Sequence, residues 1–243
     1  MSLYKRAIWG VTQRLGKTYL LGAFDAEARQ ALREDVAMEA VLASLLRSDD
    51  TYVDVGANRG QTLRDAVRLA PHGHHVAFEP IPSLAAQVGR EFPAVDCRAL
   101  ALGARSETTK FCHFTRLDGW SGLRRYPSVS DAQGAPVFID VQVSTLDTEL
   151  AWVKPSVVKI DVEGAEQAVL EGGRSMLARA QPIVIFEHVL EAAAMYGHAH
   201  EAPWDLLTQL GYRIFSLTGE GPFTRSAFAQ ASTHVNWLAT PDG

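Results

Sequence analysis

Short, nearly unbroken apolar runs alternate with longer amphipathic stretches along most of this chain, and the alternation predicts its elements. Met38, Val41, Leu42, Leu45 and Leu46 recur at helical spacing ahead of the first run. "TYVDVG", Thr51 to Gly56, is β-branched with little polar interruption, as in a strand covered on both faces. Leu63, Ala66, Val67 and Ala70 return to the helical period, which Pro71 and Gly73 stop. "HVAFEP" predicts a second strand, "SLAAQVGREF" a helix that Ser83 is placed to cap, and "AVDCRAL" a third strand. This β-α-β-α-β order predicts a parallel sheet with helices on both faces.

The middle is less regular. "TTKFCHF" and "VFIDVQV" read as strands separated by "TRLDGWSGLRRYPSVSDAQGAP", a turn-rich segment expected to form a lid-like insertion around 116–136. "SVVKIDVEGAEQAVLEGG" then reads as strand, turn and helix, and "PIVIFEH" as a buried strand. "PWDLLTQLGYRIFSLTG" gives a helix, a glycine stop and a strand, and "HVNWLAT" a closing antiparallel strand. The expected fold class is α/β and Rossmann-like, a seven-stranded, mostly parallel sheet with helices on both faces. The expected organisation is an N-terminal helical segment over 1–48 and one domain over 49–243.

Composition narrows the function. The chain of 243 residues suits one large core. A net charge of -5 argues against a nucleic-acid partner. Cys97 and Cys112 have neither metal spacing nor the density of a disulfide scaffold, so reduced thiols and a cytoplasmic location are expected. No run of apolar residues is long enough for a membrane span, and the first residues lack the apolar core of a signal peptide. A homo-oligomer is compatible with this composition. "HGHH", His72 to His75, reads as a solvated loop, because no further ligand accompanies it.

"TYVDVGANRG" carries the first chemistry. In doubly wound sheets the turn after the first strand cradles the ligand. Gly56 and Gly60 let the backbone turn tightly and approach a ligand, and Asn58 tolerates left-handed geometry. The dinucleotide pattern G-x-G-x-x-G is absent. Asp54 would repel a pyrophosphate but suits an ammonium or a sulfonium. Glu79, at the end of the second strand, is placed to accept both ribose hydroxyls. An acidic first turn without a phosphate cradle, followed by a ribose-binding Glu, points to S-adenosylmethionine.

Five stretches occur in order: "VDVGANRGQT", "AFEPIPSLAAQV", "STLDTEL", "VVKIDVEGAEQAVLEGG" and "PIVIFEH". Together they resemble the FkbM family of S-adenosylmethionine-dependent methyltransferases, from about Asp50 to His188. The resemblance implies the class I methyltransferase fold, cofactor contacts through Asp54, Gly56, Asn58, Gly60 and Glu79, and O-methylation of a small-molecule or glycan acceptor.

In this fold "VVKID" ends beside the first strand and "PIVIFEH" ends one strand further on. Asp161, Glu187 and His188 are therefore expected on one rim. The layout resembles metal-dependent catechol-type O-methyltransferases, and two readings stay open. Either the three residues hold Mg²⁺, or His188 is a general base oriented by Asp161 or Glu187. In "RLDGWSGL", Trp120 is placed to cover a sulfonium and Ser121 to bond the methionine carboxylate. Alternatives to the O-methyltransferase are a protein or RNA methyltransferase, which the acidic balance and the lack of an Asn-Pro-Pro-Tyr motif disfavour, and a non-catalytic nucleoside-binding module.

Overall fold

The structure is a computed structural model, and it describes residues 26–125, 135–231 and 234–242. The first 25 positions of the expected N-terminal segment, and residues 126–134 of the expected insertion, lie outside the described residues. Helix α1 (Ala26–Leu45) leads into β1 (Tyr52–Val55), α2 (Gln61–Leu69), β2 (Val76–Phe78), α3 (Pro82–Glu91) and β3 (Asp96–Arg98). After β3 come β4 (Ala101–Leu102), β5 (Glu107–His113), a short 3₁₀ turn (Asp118–Trp120), β6 (Val137–Ser144) and α4 (Leu146–Glu149). The second half runs β7 (Val157–Ile160), α5 (Glu166–Glu171), α6 (Arg174–Ala180), β8 (Ile183–Glu187), α7 (Leu190–Met195), α8 (Ala202–Gln209), β9 (Tyr212–Ser216), α9 (Arg225–Gln230) and β10 (Asn236–Pro241).

Seven strands form the main sheet in the order β3-β2-β1-β7-β8-β10-β9. β10 runs antiparallel to both β8 and β9, and the remaining pairs are parallel. The α/β, mostly parallel class expected from the sequence is the one observed. The two middle strands do not join this sheet. β5 and β6 pair with each other and with β4 in a separate three-stranded sheet. The run read as a third strand breaks in two: Asp96 to Arg98 stays in the main sheet, and Ala101 and Leu102 begin the second.

Strand alternation sorts the core onto two faces. Val53, Val55, Val158, Ile160, Val184 and Phe186 belong to one cluster, with Leu206, Phe228 and Trp237. Tyr52, Val157 and Ile185 belong to the other, with Leu42 and Leu63. Helix α3 starts at Pro82 with Ile81 as its cap, so Ser83 lies inside the first turn instead of capping it. A proline at the first helical position needs no N–H partner. His75 is also unlike a solvated loop residue. Its Nδ1 accepts from the Tyr52 N–H at 3.2 Å and its Nε2 donates to the Ala70 carbonyl at 2.9 Å, which pins the start of β1 to the end of α2.

Candidate active site

The turn after β1 is held by backbone alone at its start. Gly56 and Ala57 both donate to the Phe78 carbonyl at 3.0 Å, and Gly60 donates to Ala57 at 2.8 Å. Gly56, Asn58 and Gly60 all have positive φ, at 84°, 49° and 70°. Gly56 is obligatory for a second reason: a Cβ there would stand 1.9 Å from the Asp161 carbonyl oxygen. The first turn and the end of β7 therefore touch backbone to backbone.

Glu79 joins this turn to the next. One carboxylate oxygen accepts from Asn58 N–H and the other from Ile81 N–H, each at 2.8 Å. Burial pushes its pKa up to about 7, against the two N–H donors that favour the charged form. Asp54 is fully buried. Its Oδ2 accepts from the Thr62 hydroxyl at 3.0 Å, while its Oδ1 has no hydrogen-bond partner. Desolvation raises its pKa, and the Lys159 ammonium opposes that rise. A glycine-bent turn beside Glu79, with Asp54 Oδ1 making no hydrogen bond and facing the Lys159 ammonium, fits the nucleoside expected from the sequence.

Lys159 occupies the centre. The register pairs it with Asp54 on β1 and Ile185 on β8. Its ammonium is 3.6 Å from Asp54 and 3.1 Å from Asp161. Burial disfavours the charge, but the carboxylates of Asp161 and Asp54 outweigh it and hold the pKa above the ordinary lysine value. Lys159 is not among the site residues read from the sequence. Its spacing two residues before Asp161 was the signal that both face one way.

Beyond the strand ends, Asp161, Glu163 and Glu187 bring carboxylate oxygens within 4.8 Å of one another, and all three are half-buried. Glu163 has a φ of 57° and Gly164 one of 104°, an unusual pair for a non-glycine followed by glycine. Buried Glu166 fixes that conformation by accepting from Val162 N–H at 2.9 Å and Gly164 N–H at 3.1 Å. Burial drives its pKa to about 7.

Of the three residues expected on one rim, the structure brings Asp161 and Glu187 together and leaves His188 apart. Glu187 follows Ile185 on one face, and His188 follows Phe186 on the other. The His188 imidazole stacks on His200 and Phe228. Its Nε2 lies 2.9 Å from the His200 carbonyl and 3.0 Å from His200 Nδ1. A carbonyl only accepts, so Nε2 carries the proton, and that nitrogen is not a base. Burial, with His200 beside it, lowers the pKa to about 4. Glu163, close to Asp161 in the chain, takes the third place.

The described part of the insertion, Arg116 to Arg125, reaches both halves. Arg59, in the first turn, donates to buried Asp118, and His113 Nε2 lies 3.3 Å from the other Asp118 oxygen. Ser121 Oγ accepts from Phe114 N–H at 3.0 Å, which leaves its O–H as a donor. On the far side the Arg124 N–H donates to the Tyr196 hydroxyl at 3.1 Å, and Gly122 faces the Glu163 side chain.

A parallel sheet whose first turn is acidic and glycine-bent, with a strand-end Glu on the second turn, defines the class I methyltransferase fold. Residues 54–214 match the methyltransferase FkbM domain. The chain belongs to the FkbM methyltransferase family. Its fold is similar to the crystal structure of methyltransferase FkbM from Methylobacillus flagellatus KT, at 14% identity and a TM-score of 0.50, covering 97% of this chain and 58% of that one. The plantazolicin methyltransferase BpumL, solved with SAH, matches at 9% identity and a TM-score of 0.44 over 98% of this chain and 99% of that one. In sequence, the AMB antimetabolite synthetase AmbE of Pseudomonas aeruginosa is 27% identical over 208 residues. That stretch is 70% of this chain and 10% of AmbE, so the chain spans about a tenth of that protein.

Proposed function

We propose that the protein transfers the methyl group of S-adenosylmethionine to a hydroxyl of a small molecule. The observation that carries this reading is the contact between the Gly56 turn and Asp161, which sets three clustered carboxylates directly beside the cofactor cradle. Glu79 takes the ribose diol, and Gly56, Asn58 and Gly60 let the nucleoside approach the backbone. Asp54 faces the cationic end of the cofactor, and the Ser121 O–H is a donor for its carboxylate. The acceptor hydroxyl lies against Asp161 and Glu187. Its oxygen attacks the methyl carbon in line with sulfur, the carbon–sulfur bond breaks, and the hydroxyl proton passes to a rim carboxylate.

Asp161, Glu163 and Glu187 are three hard oxygen donors, a set that fits Mg²⁺. They would hold the ion, which would lower the pKa of the acceptor hydroxyl. Lys159 already neutralises part of the same charge. Cys97 and Cys112 are both free thiols, in keeping with a reducing, cytoplasmic setting. Among the described residues no helix is long and apolar enough to cross a membrane.

The test is transfer of a labelled methyl group into pooled small-molecule fractions. Asp161→Asn should lower the rate by about 10²–10⁴-fold while SAH binding by calorimetry stays intact. Chelator should reduce turnover and Mg²⁺ restore it. Full activity of Asp161→Asn and Glu187→Gln would remove the rim from the chemistry.

A further inference from the structure

Glu163 holds an uncommon backbone for its side chain. Its φ of 57° is a left-handed value that glycine and asparagine adopt at lower cost. Strain of this kind persists only where the surroundings over-determine it, and it gathers at functional sites. Here the surroundings are specific. The chain leaves the sheet at Asp161, whose N–H still donates to the Val55 carbonyl at 3.0 Å. Gly164 then turns with a φ of 104°. A Cβ there would stand 2.5 Å from the Ala192 carbonyl oxygen and 2.9 Å from the Tyr196 ring. The outer side of the turn is therefore wedged against α7 and the residue that follows it.

The inner side is held by one atom. Glu166 Oε1 accepts from both Val162 N–H and Gly164 N–H, the two amides that flank Glu163. Glu166 is 2% exposed, so its carboxylate is closed off from the open side of the rim. Glu163 is half-buried, with an oxygen within 4.8 Å of oxygens on Asp161 and Glu187. Those two carboxylates are placed by the ends of β7 and β8, whereas Glu163 has no strand beneath it. Its place in the cluster comes from the turn, and the turn is tied from inside by Glu166.

We infer that Glu166 is a positioning residue for the rim: through the Val162 and Gly164 amides it sets the left-handed turn from which the Glu163 carboxylate joins Asp161 and Glu187 around a divalent cation. The inference rests on the Mg²⁺ reading of the rim given above, and not on which acceptor is methylated.

Two conservative substitutions separate position from charge. Glu166→Asp keeps the charge but falls one methylene short of both amides. Glu166→Gln keeps an oxygen at that reach and gives up the charge. Calorimetry with Mg²⁺ on the SAH-loaded full chain should find Glu166→Asp weaker by about 10–100-fold, the cost of losing a partner that orients a metal ligand. Glu166→Gln should bind Mg²⁺ as the wild type does, and SAH affinity should be unchanged in both. Glu163→Ala should itself weaken Mg²⁺, and adding Glu166→Asp to it should cost nothing more, because the residue it acts through is gone. Wild-type Mg²⁺ affinity in Glu166→Asp, an equal loss in Glu166→Gln, or a full further loss in the Glu163→Ala background would overturn the inference. A wild type that binds no Mg²⁺ would overturn it together with the ion. The expected Mg²⁺ pattern with no labelled methyl in any acceptor fraction would instead overturn the reading of the reaction and leave Glu166 in its role.

Discussion

Burial leaves Glu79 with a pKa of about 7 although two N–H groups donate to it. The free fold is therefore strained by this carboxylate as pH rises from its ordinary 4.5 towards 7. A ribose diol donates its hydroxyl protons, so the ionised form is the one that binds. Cofactor affinity should be full above about pH 7 and fall by up to about tenfold per unit below it. SAH titrated by calorimetry between about pH 5.5 and 8.5 reads this directly. Glu79→Gln should bind weakly at every pH, and a wild-type profile as flat as the variant's would take Glu79 out of the ribose site. The rim shows what single residues disclose in a sequence and what they hide. Asp161 and Glu187 were legible because each ends a strongly apolar run. His188 ends the same run one residue later, and strand alternation turns it to the opposite face, against His200 and Phe228. The period of two was available in "PIVIFEH", and applying it separates the pair. Glu163 follows Asp161 closely enough in "DVEGAE" to be placed near the site, but its exact place depends on a left-handed backbone that Glu166 and Gly164 impose together.

Elements buried on both faces were the readable ones. β1, β7 and most of β8 are covered by helices on either side, so their apolar runs mark them without ambiguity. β5 and β6 are largely exposed over their first four residues and buried mainly at their far ends, and a strand read from sequence says nothing about which sheet it joins. Helices α7 and α9 are six residues each, too short for a helical period to stand out. The segment from Arg116 to Arg125 is tied down at two points, by Arg59 on Asp118 and by Tyr196 on the Arg124 backbone. Asp118→Asn weakens the first tie. Trypsin should then cut after Arg116, Arg124 or Arg125 faster than in the wild type, and SAH should slow cleavage in the wild type. Equal digestion of wild type and variant, with and without SAH, would make the segment an ordinary surface loop.

Across the whole molecule, the site exists because of strand order. β1 stands between β2 and β7, so the first turn has Glu79 on one flank and Asp161 on the other. The described part of the insertion, bridged to β5 through Cys112 and Gly122, returns to contact both sides, at Arg59 and Glu163. A sequence lists these parts in order but does not say that β7 crosses back to lie beside β1; the family resemblance supplied that step. Lys159 sits where the halves meet, between Asp54 and Asp161. Removing one member of a buried ionic set strands the others, at about 3–5 kcal/mol, whereas neutral replacement of the whole set is often tolerated. Chemical denaturation should therefore find Lys159→Met alone more damaging than the triple variant Asp54→Asn, Lys159→Met, Asp161→Asn. A triple loss equal to the sum of the single losses would mean the three act independently. If they do not, descendants of this chain face a valley at these positions. No single step out of the set is neutral, so the three are inherited as one character, and a lineage that abandons methyl transfer sheds them together or keeps them as a fossil of it.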